Sequence, residues 1–176
     1  KLPSSMPPQM SRFTDESIRV SFSRAIVDPS LTALGEQLVH DISASDPQYD
    51  YVLCPDNITH IKYLPGGFFS RHTDHCRGSS NMIEEFTLLI NVNPPDVPCV
   101  GGATVIHAPA SSSTTSPTTF DSTTTPGSGL LFRKDLEHEG TPVEEGEKHL
   151  LCLNVWGSRI KTGQVLLITC QLSIPA

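Results

Sequence analysis

Apolar residues recur at helical spacing most clearly in one stretch of the chain. Leu31, Leu34, Leu38 and Ile42 follow the start signals Asp28 and Pro29, and together they predict a helix from Asp28 to about Ser43. A less regular helical pattern runs from about Asp15 to Ala25. Beyond Tyr49 the helical period gives way to short β-prone runs bounded by Gly, Pro or Asn. These are Asn57–Leu64, Phe68–Thr73, Glu85–Val92, Ala103–His107, Leu130–Phe132, Lys148–Trp156 and Gln164–Leu172. Many short strands behind a helical preface predict an α+β chain whose body is a sandwich or barrel.

Composition adds boundaries. The 176 residues give room for one core, so a single domain is expected over 13–176, preceded by a Pro-containing arm over 1–12. Hydrophobic residues at 37% and charged residues at 18% are low, and Ser, Thr and Pro between Ser111 and Pro126 make up the difference. That tract predicts a surface insertion over 110–128, without a core of its own. A net charge of −7 argues against binding a phosphate backbone, so no nucleic-acid partner is expected. No apolar run approaches the roughly 18 residues of a membrane span, and the start lacks a charged-then-apolar secretory pattern, although a chain beginning at Lys1 leaves room for a removed leader. The five cysteines (Cys54, Cys76, Cys99, Cys152, Cys170) are odd in number and form no CxxC pair. They predict a reducing, intracellular compartment, cytoplasmic or nuclear.

Two segments carry candidate chemistry. In Tyr63-Leu-Pro-Gly-Gly-Phe-Phe-Ser-Arg-His72-Thr-Asp74, a His and an Asp two apart in a β-prone run leave the strand on the same side. They can meet one ion, or simply each other through a hydrogen bond. The second segment runs from Gly129 through His138 to Lys148 and reads as a hairpin turning near Glu144–Gly146, with His138 and Lys148 on adjoining strands. A solvated turn with a snorkelling Lys is the plainer alternative. Two His and one carboxylate would cover one face of a metal and leave the opposite positions open, as in non-haem Fe(II) oxygenases. Zinc competes, but structural zinc wants a fourth ligand and prefers thiolate.

The blocks Tyr63-x-Pro-Gly, His72-x-Asp74, Thr87-Leu-Leu-Ile-Asn, Gly101-Gly-Ala-Thr, Gly129-Leu-Leu-Phe and His138-Glu-Gly-Thr-Pro-Val-x-x-Gly-x-Lys148 follow one another in this order. Over roughly 57–157 the chain resembles the Fe(II)/2-oxoglutarate-dependent dioxygenases, specifically the prolyl 4-hydroxylase-like branch. The resemblance implies a double-stranded β-helix, a jelly-roll-like barrel with supporting N-terminal helices. It implies His72, Asp74 and His138 as iron ligands and catalytic residues, Lys148 as partner of the distal carboxylate of 2-oxoglutarate, Tyr63 near that cosubstrate and Thr87 as a hydroxyl beside the same carboxylate. The implied cofactors are Fe(II), 2-oxoglutarate and O2, with ascorbate admitted as reductant. The implied reaction is hydroxylation of a peptide or small molecule with release of succinate and CO2. Because the carboxylate ligand is present, halogenation is not expected.

The chain also departs from the family pattern. Six positions beyond Lys148, where an aromatic residue is common, stands Asn154, and the indole comes at Trp156; alternation puts both on the side of Lys148. Arg77 is a candidate substrate contact with a solvated role as its alternative, His75 is expected to face away from the metal, and Cys76 is the thiol placed to oxidise. Gly101-Gly102 is read as a tight turn, and His40, His60, His107 and His149 as ordinary surface or core residues. Two other classes stay open: a catalytically silent jelly-roll binding module, and a cupin-like metal enzyme that makes no use of 2-oxoglutarate.

Overall fold

The computed structural model describes residues 11–15, 17–54, 58–76, 83–107, 118–120, 125–159 and 168–171. The expected helix forms as α1 (Pro29–Ser45). Asp28 caps it in extended backbone (φ −139°), its carboxylate accepting from the N–H of Ser30 at 2.8 Å and of Leu31 at 3.1 Å, while Pro29 occupies the first turn, where no donor is needed. The buried face is Gly35, Leu38, Val39 and Ile42, and Leu34 is turned out to 52% exposure. Gly35 explains the rotation: a Cβ there would lie 3.0 Å from Leu153 Cδ2, so the helix rests closely on the sheet along this edge.

Fourteen strands are described. They are β1 (Ser11–Asp15), β2 (Arg19–Ile26), β3 (Tyr49–Leu53), β4 (Ile58–Tyr63), β5 (Phe68–His72), β6 (Ile83–Asn91), β7 (Cys99–Gly101), β8 (Thr104–Ile106), β9 (Thr118–Phe120), β10 (Ser128–Arg133), β11 (His138–Gly140), β12 (Val143–Gly146), β13 (Lys148–Arg159) and β14 (Ile168–Gln171). Twelve belong to one sheet of order β14-β10-β6-β13-β4-β2-β5-β11-β8-β9, with β1 on β2 and β3 on β13; β12 and β7 form a separate pair. The corner is β2, which pairs with β4 through Phe22–Ile26 and with β5 through Arg19 and Val20. The sheet folds over at that corner into the jelly-roll-like double-stranded β-helix.

Period-2 alternation sorts side chains between two cores. On β6, Phe86, Leu88 and Ile90 face α1 together with Leu153 and Val155 of β13. Leu89, Leu130, Phe132 and Leu150 face the barrel interior instead. Being covered on both faces, β6 reads as a nearly continuous apolar run in place of an alternating one. Each such side chain contributes roughly 1.5–3 kcal/mol of transfer free energy.

Residues 1–10 of the arm expected over 1–12 lie outside the described residues, and its last two residues run in β1, Ser11 pairing with Ser23 and Arg12 with Phe22. Two expectations are corrected here. The segment expected as a helix over Asp15–Ala25 is largely strand β2, because Arg19, Ser21 and Ser23 alternate with Val20, Phe22 and Arg24 and both edges find partners. The hairpin joining His138 to Lys148 does not form. β11 pairs with β5 and β8, β12 with β7, and β13 lies between β4 and β6. Pro142, which lacks a ladder donor, and Gly146, at φ +75°, carry the chain from one wall to the other. Of the Ser/Thr/Pro tract, Thr118–Phe120 adds a strand to β8, and 108–117 and 121–124 lie outside the described residues.

Candidate active site

The barrel interior opens as a cavity of about 300 Å³. Leu64-Pro65-Gly66-Gly67 turns the chain from β4 into β5. Pro65 presets φ, Gly66 takes φ +80°, and the Gly67 N–H reaches Leu64 O at 2.7 Å. Along β5 the register with β11 slips: Gly140 opposes Phe69 and His138 opposes His72, so two steps on one strand span three on the other. This irregularity brings both Phe69 and His72 to the cavity wall. β5 ends at His72, and Asp74 follows in irregular backbone, its N–H donating to Lys134 O at 2.9 Å.

His72, Asp74 and His138 converge. Asp74 Oδ1 lies 3.6 Å from His72 Nε2 and 3.7 Å from His138 Nε2, and the ligand atoms of the three residues all fall within 4.8 Å of one another. Their hydrogen bonds prepare them for a metal. His72 Nδ1 is 2.7 Å from Ser70 O, and His138 Nδ1 is 2.9 Å from Leu136 O. A carbonyl only accepts, so both Nδ1 atoms carry the proton and both Nε2 atoms present a lone pair. His72 Nε2 is buried without a hydrogen-bond partner. Thr87 Oγ1 donates to Asp74 Oδ2 at 2.5 Å, leaving Oδ1 toward the two imidazoles. Burial works to raise the Asp74 pKa, but the two neighbouring imidazoles and the hydrogen bond from Thr87 hold it below the ordinary carboxylate value. Burial keeps His138 below the usual imidazole value, which favours the neutral ligand form. Neutral nitrogen and carboxylate donors with no thiolate suit Fe(II), and the set fits such an ion.

Lys148, only 3% exposed, enters from the start of β13 beside Tyr63 of β4. Its ammonium donates to Gly102 O and reaches Thr104 Oγ1 at 3.5 Å, and it lies 5.7 Å from the centre of the Tyr63 ring. Burial pushes the Tyr63 hydroxyl up to about 12, against the opposing pull of Arg19. Thr87 thus donates to Asp74, and Thr104 offers a hydroxyl to Lys148. From β13, Leu150, Cys152 and Asn154 line the cavity after Lys148, whereas Trp156, 36% exposed, lies beyond the lining despite its matching parity.

Arg19, Thr104 and Glu139 also line the cavity and were not singled out by sequence reasoning. For Arg19 the available signal was the strand face it shares with Ser21 and Ser23, legible only once the segment is known to be a strand. His75 is exposed and outside the ligand cluster, its carbonyl accepting from Lys134 at 3.4 Å. His60 and His149 stack on each other with 3.0 Å between ring nitrogens, His107 binds Glu139, and His40 is exposed. Burial raises the Cys76 thiol pKa, which lowers its thiolate fraction. Gly101 and Gly102 take φ +74° and +70°, the tight turn expected. Arg77 lies outside the described residues.

Residues 58–157 match the 2OG-Fe(II) oxygenase superfamily, and the chain belongs to it. The cofactors of that family are Fe(II), 2-oxoglutarate and O2. An uncharacterised protein of Fowlpox virus is 28% identical over 140 residues, 80% of this chain and 30% of its own length. The chain thus spans under a third of that curated relative. Among solved structures, a Pseudomonas putida prolyl-4-hydroxylase superposes with a TM-score of 0.55 at 20% identity, covering 86% of this chain and 77% of that one. A Trichoplax adhaerens prolyl hydroxylase, in complex with a hypoxia inducible factor peptide fragment, gives 0.57 at 16% identity, covering 86% and 71%. These likenesses carry the fold.

Proposed function

We propose that this chain hydroxylates an unactivated C–H bond of a peptidyl residue, proline included, or of a small molecule. His72 Nε2, His138 Nε2 and Asp74 Oδ1 would hold Fe(II) from one side, and Lys148, assisted by Thr104, would hold the distal carboxylate of 2-oxoglutarate. When bound, Fe(II) with 2-oxoglutarate and O2 supplies the oxidising chemistry, in which the cosubstrate leaves as succinate and CO2 and one oxygen atom enters the substrate. The protein's own part is orientation and exclusion. Backbone carbonyls set both imidazole tautomers, Thr87 aims the carboxylate, and Leu89, Phe132 and Leu150 keep the interior apolar. A buried ammonium beside a site for a dianion gains a charge-assisted contact worth on the order of 1.5–3 kcal/mol.

The observation that carries this reading is the convergence of three donors whose protonation and orientation are set by second partners. The peptide held by the Trichoplax neighbour supports a peptidyl substrate. The test is anaerobic addition of Fe(II) and 2-oxoglutarate, with the visible charge-transfer band as readout, followed by succinate release when oxygen is admitted. His72→Ala should abolish the band and leave the fold intact, because His72 lines a cavity and contributes little to either core. Absence of a band from the wild type would refute the cosubstrate assignment.

A further inference from the structure

The turn between β10 and β11 carries a buried ion pair that the proposed reaction does not employ. Arg133–Leu136 closes with the Leu136 N–H on Arg133 O at 3.1 Å. Within it Lys134 is 7% exposed, and its ammonium lies 3.6 Å from a carboxylate oxygen of Glu85, itself 9% exposed. Neither side chain lines the cavity. Burying such a pair takes two charges out of water, and well-packed apolar residues of similar volume often hold a core as well or better. Stability alone therefore explains the pair poorly, and its surroundings point elsewhere. Lys134 grips the segment bearing Asp74 at two points: its carbonyl accepts from the Asp74 N–H at 2.9 Å, and its ammonium donates to His75 O at 3.4 Å. The two contacts lie on either side of the Asp74 Cα.

Asp74 needs such support because it lies past the end of β5, outside the strand ladder that holds His72 opposite His138. The support is referred to β6. The Lys134 N–H donates to Glu85 O at 3.0 Å, the Glu85 carboxylate faces the ammonium, and two residues along the same strand Thr87 holds Asp74 Oδ2. One strand thus fixes the ligand's backbone through Lys134 and its carboxylate through Thr87. The same turn supplies Leu136 O, which sets the tautomer of His138. We propose that Lys134 is a positioning residue for the metal centre: with Glu85 it clamps the Asp74–Cys76 segment, so that Asp74 Oδ1 faces the two imidazoles before a metal arrives. A ligand ordered in advance loses less freedom on binding. The inference rests on the metal reading proposed above and concerns its carboxylate ligand.

Co(II) titrations of the full chain, read through the visible ligand-field bands, test this. The proteins are the wild type, Lys134→Met, Lys134→Arg, Asp74→Ala and the combined Lys134→Met/Asp74→Ala, each with a melting curve of the metal-free form. Lys134→Met should weaken Co(II) by about tenfold, the lower end of what a partner behind a metal ligand contributes. Lys134→Arg keeps the charge and the donors and should recover most of that loss. In the Asp74→Ala background the two imidazoles remain, and there Lys134→Met should change affinity by less than about twofold, because the residue it positions is gone. An equal loss in both backgrounds would make Lys134 a general packing residue and overturn the proposal. So would Lys134→Met with Co(II) affinity within about twofold of wild type. Should Lys134→Met not melt cooperatively, Lys134→Met/Glu85→Gln removes the carboxylate charge left in the interior, and the same comparison with and without Asp74 decides. A wild type without Co(II) bands would refute the metal reading and this inference with it, whereas normal bands that Lys134→Met leaves unaltered would refute the inference alone.

Discussion

Thr87→Val isolates one hydrogen bond at the candidate metal centre. Thr87 is 2% exposed, and its hydroxyl donates to Asp74 Oδ2 at 2.5 Å. Valine keeps the branched shape and removes the donor. A hydrogen bond to a charged acceptor contributes roughly 1.5–3 kcal/mol. At 1.36 kcal/mol per decade this corresponds to about tenfold to hundredfold, the same range that loss of a partner behind a metal ligand costs in metal affinity. The carboxylate would also lose one of the contacts holding its pKa down, so acid should displace the metal at a higher pH than in the wild type. The assay is anaerobic Fe(II) titration against a competing chelator at several pH values, with a melting curve of the metal-free protein to confirm folding. Iron affinity within twofold of wild type, with an unchanged pH profile, would show that Asp74 is oriented by its backbone alone.

Further outcomes follow from other sites. Lys148→Met should weaken 2-oxoglutarate at least tenfold without lowering the melting temperature of the unliganded protein, because removing a buried ammonium relieves its desolvation cost; a large drop in melting temperature would contradict this. Gly146→Ala should destabilise far beyond the ~1 kcal/mol of an average substitution, since φ is +75° and a Cβ would lie 1.8 Å from Pro98 O, and denaturant titration measures it. His60, lowered to about 4 by burial and its neighbours, and His138, lowered by burial, bind fewer protons folded than unfolded. Stability of the metal-free protein should therefore be complete above about 6.5 and decline as pH falls toward 4, and His60→Asn should flatten that slope in thermal scans.

Local chemistry made much of this protein legible. Asp28 and Pro29 mark the start of α1 because capping is a matter of adjacent residues, and the β-prone runs coincide with strands because alternation is visible within five or six positions. Where the reading failed, distant partners decided. Leu34 left the buried stripe because Gly35 lets the helix rest on Leu53 and Leu153. The polar alternation in β2 was hidden until strands on both its edges were known. Thr87 carries a family motif, yet the side chain it touches is Asp74, thirteen positions earlier on a different element.

The amino-acid order alone determined the ingredients: one capped helix, short strands, and a His-x-Asp with a later His and Lys whose sequence pattern already resembled a family. The tertiary structure decided geometry that no local pattern encodes. A register slip in β5 brings Phe69 and His72 together, and two carbonyls choose which imidazole nitrogens face Asp74. The folding of the sheet at β2 sets Arg19 into the same cavity as Lys148. The physical reason is range: helix caps and strand alternation act within a few residues, whereas ligand convergence, tautomer choice and the charge balance of a cavity depend on contacts between segments that meet only when the barrel closes.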